Sequence, residues 1–285
     1  MDKTAAGIAK PPSGTAPQRA TSEVPFAPAG RIMPIFFLHI PKTSGSSVNA
    51  FLKALYGEDN FIEHAEYKLP HLLSGRLPTM VCDCVSAHIP LFAWHLYPET
   101  AVYRRVTLLR EPWERLVSHV NWINRFNHDK ELPTAGPKAA PLKHVSAVLR
   151  ETDFGDEASI RRLFDEANAQ VQFTDWDNLQ VRMLLTGNMQ AMTKPLGEAD
   201  AENALGNLAQ FFVYGFCEDN DGFQADLVRA LGRDDSIGEV RENQGAMQVL
   251  TADNTLAREI FAPWIEWDRQ LYDRAQKIAR QRRGG

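Results

Sequence analysis

The chain has 285 residues, 44% of them hydrophobic, enough to bury a substantial core within one domain. Its net charge of −5 argues against nucleic acid as the main partner. Three cysteines are too few for a disulfide framework, no apolar run reaches the ~18 residues of a membrane span, and the N-terminus lacks a signal-peptide core. A soluble, cytoplasmic protein with no integral membrane segment is the expectation.

In chain order, residues 1–30 are rich in Ala, Pro, Ser, Thr and Gly and read as a disordered tail, leaving 31–285 as one domain. Ile35–Ile40 is an apolar run of strand length that Pro41 stops. Val48, Phe51, Leu52 and Leu55 then recur at helical spacing, so a helix should open near Gly45 to Ser47. Between strand and helix lie Lys42, Thr43, Ser44, Gly45, Ser46 and Ser47. A helix start offers amide donors and partial positive charge, Lys42 adds a full charge, and the hydroxyls add donors. Phosphate or sulfate suits such a loop. It is not a Walker A motif, because Lys42 precedes Gly45 and no second glycine lies upstream.

Met80–Ser86 reads as a second strand, with His88 just beyond it. Cys82 and Cys84 fall on one side of that strand, and no metal site is expected from the cysteines. Val102–Leu109 is a third strand, followed by Arg110-Glu111-Pro112 and a helix. Pro112 fits the first helical position, and Glu111 and Glu114 place negative charge at the dipole's positive end. Arg110 thereby falls at the carboxyl end of its strand, where open parallel sheets bind ligands. Ser118 lies two turns further on and can face the same side; Arg115 is expected to pair with Glu111 or Glu114. Residues 127–143 carry Pro133, Gly136, Pro137 and Pro141 and read as a flexible loop. Phe211–Phe216 is a fourth strand. Strands alternating with helices predict an α/β chain: a three-layer, P-loop-like fold with a mainly parallel sheet flanked by helices. The basic tail Lys277, Arg280, Arg282, Arg283 reads as a solvated helix end.

Taken together, His39–Ser47 and Leu109–Ser118 resemble the two nucleotide-binding motifs of sulfotransferases that use 3′-phosphoadenosine 5′-phosphosulfate (PAPS), in particular the uronyl 2-O-sulfotransferases and their bacterial relatives. That family carries a His-Ile-Pro-Lys-Thr-Gly-Gly-Thr-Ser type loop for the 5′-phosphosulfate and Leu-Arg-Asp-Pro-x-x-Arg-x-x-Ser for the 3′-phosphate. Asp177–Arg182, Val213–Phe216 and Trp267–Tyr272 look similar in the same order, so the resemblance spans roughly 34–280. Ser44 departs from a family glycine and Glu111 from an aspartate.

The resemblance implies that 31–285 is a sulfotransferase domain using PAPS, with no metal required. Lys42 through Ser47 would hold the 5′-phosphosulfate, and Arg110 and Ser118 the 3′-phosphate. Lys42 would neutralise the leaving phosphate oxygen, and His88 would be the general base. Related enzymes have Gly-His here and a further histidine at the position of Ser86, so a single-histidine version is implied. His39 reads as structural, buried in its strand. His64, His71, His95, His128 and His144 lack a supporting motif. Trp94 and Trp122 read as core, with an acceptor cleft as the alternative; Arg241 and Asn243 are candidates for a loop over the nucleotide. The acceptor is a hydroxyl on a carbohydrate, lipid-linked sugar or small alcohol, and a homo-oligomer is compatible with this reading. Two alternatives stay open. An ATP- or GTP-using phosphotransferase would need a magnesium-binding aspartate after an apolar strand, which is not identifiable. A catalytically silent nucleotide-binding scaffold would have no use for both Lys42 and His88.

Overall fold

A computed structural model describes residues 32–67, 82–96, 98–128, 131, 139–170, 173–233 and 248–283. Its centre is a five-stranded, all-parallel sheet in the order β2-β3-β1-β4-β5. The strands are β1 (Ile35–Leu38), β2 (Phe61–Ile62), β3 (Cys84–Ala87), β4 (Arg104–Leu109) and β5 (Val213–Phe216). The four strands expected from sequence are present but shorter. Residues Pro98–Val102 form a 3₁₀ turn instead of the start of β4. Of the second strand, Met80 and Val81 lie outside the described residues. At two residues, β2 is too short to leave a periodic signal.

Helices cover both faces. In chain order they are α1 (Gly45–Tyr56), α2 (Leu91–Trp94), α3 (Pro112–Asn124), α4 (Ala139–Arg150), α5 (Glu157–Asn168), α6 (Leu179–Leu184), α7 (Glu198–Leu208), α8 (Asn220–Ala230), α9 (Thr255–Ile260) and α10 (Glu266–Arg283). The period of two in β1 sends alternate side chains to opposite layers. Ile35 and Phe37 join Val48, Phe51 and Leu52 of α1 and Phe223 and Leu227 of α8. Phe36 and Leu38 join residues of α6, α7 and α10, with Trp94 stacked on Phe36 at 3.7 Å between centroids. Trp94 is therefore core, as expected. A third apolar cluster, built from α3, α4, α5 and α9, lies beside the sheet layers. Its member α4 begins at Ala139, so the loop expected across 127–143 is helical at its end. Pro141 sits in the first turn, where a missing amide costs nothing; residues 129–130 and 132–138 lie outside the described residues, as do His71, Arg241, Asn243 and the tail 1–30.

The connection from β1 leads toward β2 and β3 on one side, while that from β4 leads toward β5 on the other. The order reverses between β1 and β4, and the crevice outside their carboxyl ends is where open α/β sheets bind ligands. No described helix is long and apolar enough to cross a membrane.

Candidate functional site

The segment after β1 folds as a loop that leaves the start of α1 open. Lys42 and Ser44 have φ of 71° and 61°, the left-handed region that side chains disfavour. This is the backbone reason that a glycine suits the position of Ser44. Ser44 precedes α1 but does not cap it; its hydroxyl lies 2.6 Å from Cys217 Sγ, just past β5. Thr43 is fully buried and its hydroxyl donates to the Ile40 carbonyl at 2.9 Å, so it braces the loop and offers a ligand only its backbone. The first helical bond runs from Val48 N–H to the Ser44 carbonyl at 3.2 Å, which places the amides of Gly45 and Ser46 ahead of the helical ladder. Its first turn holds no acidic residue. By contrast, α3, α5, α8 and α9 are each capped by a side chain of Glu111, Asp156, Asp219 or Asn254. The uncapped α1 therefore keeps the partial positive charge that those four helix starts lose to an internal acceptor.

Gly45 meets His39 directly. A Cβ built there would lie 1.6 Å from His39 Nε2, so the ring packs against the glycine backbone. His39 is buried, as expected, although it lies just past β1. Burial, followed by the nearby His88, His64 and Lys42, holds its pKa well below the ordinary histidine value, so the ring is neutral.

Arg110 reaches the same loop from the end of β4. Its Nη1 donates to the Lys42 carbonyl at 3.3 Å, and Nη2 lies 3.5 Å from Glu114 one turn into α3. Its Nε is buried with no protein acceptor, a donor that an anion in the crevice would satisfy. The peptide of Arg110 is clamped by the fully buried Gln180: Arg110 N–H donates to Gln180 Oε1 and Gln180 Nε2 donates to the Arg110 carbonyl, both at 2.9 Å. Gln180 is itself fixed at the start of α6, where Asp268 accepts from the amides of Gln180 and Val181 at 3.2 and 2.8 Å. Burial pushes the Asp268 carboxyl up to about 6, against the pull of Arg115 and those two amides.

Arg115 does not pair with Glu111 or Glu114. It points inward, fully buried, and donates from Nη2 to the Asp175 carbonyl at 3.0 Å. Glu111 instead caps α3 by accepting from Glu114 N–H at 2.8 Å, and Pro112 occupies the first turn as expected. The expected ion pair forms on Arg110 instead, whose i,i+4 spacing suits Glu114 as well as that of Arg115 suits Glu111. Ser118 is half-buried on α3, one turn before Trp122 on the same face. Lys42 Nζ lies 5.9 Å from the Trp122 ring centroid, so this face borders the loop. Trp122 both packs on the core and flanks the site.

His88 stands at the end of β3, across β1 from Arg110. Its Nδ1 lies 2.7 Å from the His39 carbonyl. A carbonyl only accepts, so Nδ1 carries the proton and the lone pair of the neutral ring is on Nε2. The rings of His88 and His39 are 4.2 Å apart between centroids. Ser86 is fully buried and donates to Asn49 of α1 at 2.6 Å, so it ties β3 to α1.

Two neighbours of His88 carried no motif in the sequence. Glu66 accepts from the His88 backbone N–H at 3.1 Å, and the His64 ring lies 5.5 Å from the His88 ring. Only the pairing of β2 with β3 brings them there, and β2 is the strand that periodicity could not reveal. Gln180 likewise lay in a stretch singled out by resemblance without a role. A separate cavity of about 420 Å³, lined by Trp94, His95, Arg104, Arg105, Gln210 and Phe212 among others, opens at the amino end of β4, away from these groups.

Compared with known proteins, the chain matches no family model and no curated protein sequence.

Proposed function

We propose that the chain is a PAPS-dependent O-sulfotransferase, moving a sulfuryl group to a hydroxyl of a carbohydrate, lipid-linked sugar or other alcohol. The observation that carries this reading is the pairing of two anion-holding elements at the sheet's reversal point. The open start of α1 with Lys42 adjoins Arg110, whose buried Nε lacks a protein acceptor. Two such elements suit a nucleotide with two separated phosphate groups better than one with a single phosphate chain. The loop 42–47 would receive the 5′-phosphosulfate, and Arg110 with Ser118 the 3′-phosphate.

PAPS supplies an activated sulfuryl group, and the chain's own residues manage charge and proton. Lys42 and the α1 amides oppose negative charge growing on the bridging oxygen as its bond to sulfur breaks. His88 Nε2, lone pair outward from the His39 carbonyl, accepts the acceptor hydroxyl's proton as the new sulfur–oxygen bond forms. Neutral His39 beside it adds no competing charge.

Calorimetry with 3′-phosphoadenosine 5′-phosphate and with adenosine 5′-phosphate tests the reading. The 3′-phosphate should tighten binding at least tenfold, since a charge-assisted bond contributes about 1.5–3 kcal/mol. Arg110→Ala should remove most of that preference; the Gln180 clamp holds the backbone and leaves the fold intact. Equal affinity for both nucleotides, or tighter binding of ATP, refutes the proposal.

A further inference from the structure

On the β2 side of the loop, three side chains from two segments converge. His64 and Glu66 follow β2, and His88 follows β3; the parallel pairing of the two strands delivers both segments to the same sheet edge. One ligand atom from each of the three lies within 4.8 Å of the others. The Glu66 carboxylate joins the segments: Oε2 accepts from His88 N–H at 3.1 Å, and Oε1 lies 3.0 Å from His64 Nδ1. His64 has φ of 54°, in the left-handed region, and its ring centroid lies 5.5 Å from that of His88. The His39 carbonyl holds the proton on His88 Nδ1 and aims the lone pair of Nε2, which is how a backbone carbonyl orients a metal-ligating imidazole.

We propose that His64, Glu66 and His88 form a binding site for a divalent transition-metal ion of the zinc class. Two imidazoles and one carboxylate match the borderline donors that zinc takes, with a fourth position open to water. Calcium and magnesium prefer all-oxygen shells, and no thiolate lies in the set to favour softer ions. Tetrahedral zinc with nitrogen and oxygen ligands at about 2.0–2.2 Å needs its donors about 3.5 Å apart. The present spacing closes to that by side-chain rotation, and His64 is exposed and able to turn.

Resting on the transferase reading above, the ion is an inhibitor and no part of transfer. Bound at His88 Nε2, it occupies the lone pair that must accept the hydroxyl proton.

Cobalt(II) is the probe, because its visible absorption reports imidazole coordination independently of activity. The full chain, stripped with a chelator, should bind one cobalt ion, with zinc displacing it. His64→Ala and Glu66→Gln should each weaken cobalt binding at least about tenfold. A wild-type chain that binds no cobalt, or binds it equally well in both variants, overturns the proposal. In sulfuryl-transfer assays, zinc should inhibit wild type, while His64→Ala should keep its turnover and escape inhibition. A chain that shows no transfer but loses cobalt binding on His64→Ala upholds the metal site and sinks the transferase reading. Transfer that zinc leaves untouched at saturating occupancy refutes the inhibitory role.

Discussion

Replacing Gly45 with alanine puts the packing of the loop under test. The backbone there does not require glycine; the neighbour does, because the new Cβ would lie 1.6 Å from His39 Nε2. Ordinary carbon contacts begin at about 3.5 Å, so ring and helix must separate by about 2 Å. The ring cannot swing aside freely, since it is buried between Phe37, at 5.4 Å, and His88, at 4.2 Å. Overpacking of this kind costs about 1–3 kcal/mol, and alanine regains at most about 1 kcal/mol through a less flexible unfolded chain. A net loss of up to about 3 kcal/mol follows, read as a lower urea midpoint at unchanged m. The same displacement moves the His39 carbonyl off His88 and the amide of Gly45 off its aim, so affinity for the product nucleotide should fall as well. His39→Ala with Gly45→Ala should be more stable than the sum of the single losses allows, by about 0.5 kcal/mol or more. Strictly additive losses, or a Gly45→Ala chain as stable and as tight-binding as wild type, would show that the ring does not seat on the glycine.

Lys42→Ala should lower turnover with PAPS by about 10²–10³ while changing nucleotide affinity far less, because its charge matters most as the leaving oxygen becomes negative; a few-fold effect on turnover would reduce it to a binding residue. His88→Ala should lower the single-turnover rate by about 10²–10⁴ and flatten the acidic limb of the pH profile, since the base must be neutral to work; an unchanged limb assigns the proton to another group. His39 gives a stability signature. Its folded pKa lies below the ordinary 6.5, so as pH falls the unfolded chain takes up the proton first. The neutral ring's contribution is whole above 6.5 and is lost toward the folded pKa, by up to about 1.4 kcal/mol per pH unit. His39→Asn should remove that slope from urea midpoints measured between pH 7.5 and 5.5, and identical slopes in the two chains would contradict it.

Much of the frame is written locally. The run Ile35–Leu38, the stop at Pro41 and the helical spacing from Val48 to Leu55 place the strand, loop and helix without reference to the rest of the chain. Pro112 and Glu111 similarly mark the start of α3, because capping is settled within a few residues. Tertiary contacts decide what local signals cannot. Arg115 and Arg110 share one helix start and the same acidic neighbours, yet one is buried against Asp175 and the other faces the crevice. The Gln180 clamp joins residues 70 positions apart, and the His39 carbonyl that fixes the His88 tautomer lies 49 positions from its partner. His64 and Glu66 reach His88 through a two-residue strand whose pairing depends on β3 already lying in the sheet. Sequence periodicity reports which face of an element is buried. Which distant side chain meets it is fixed only when the order of the strands is fixed.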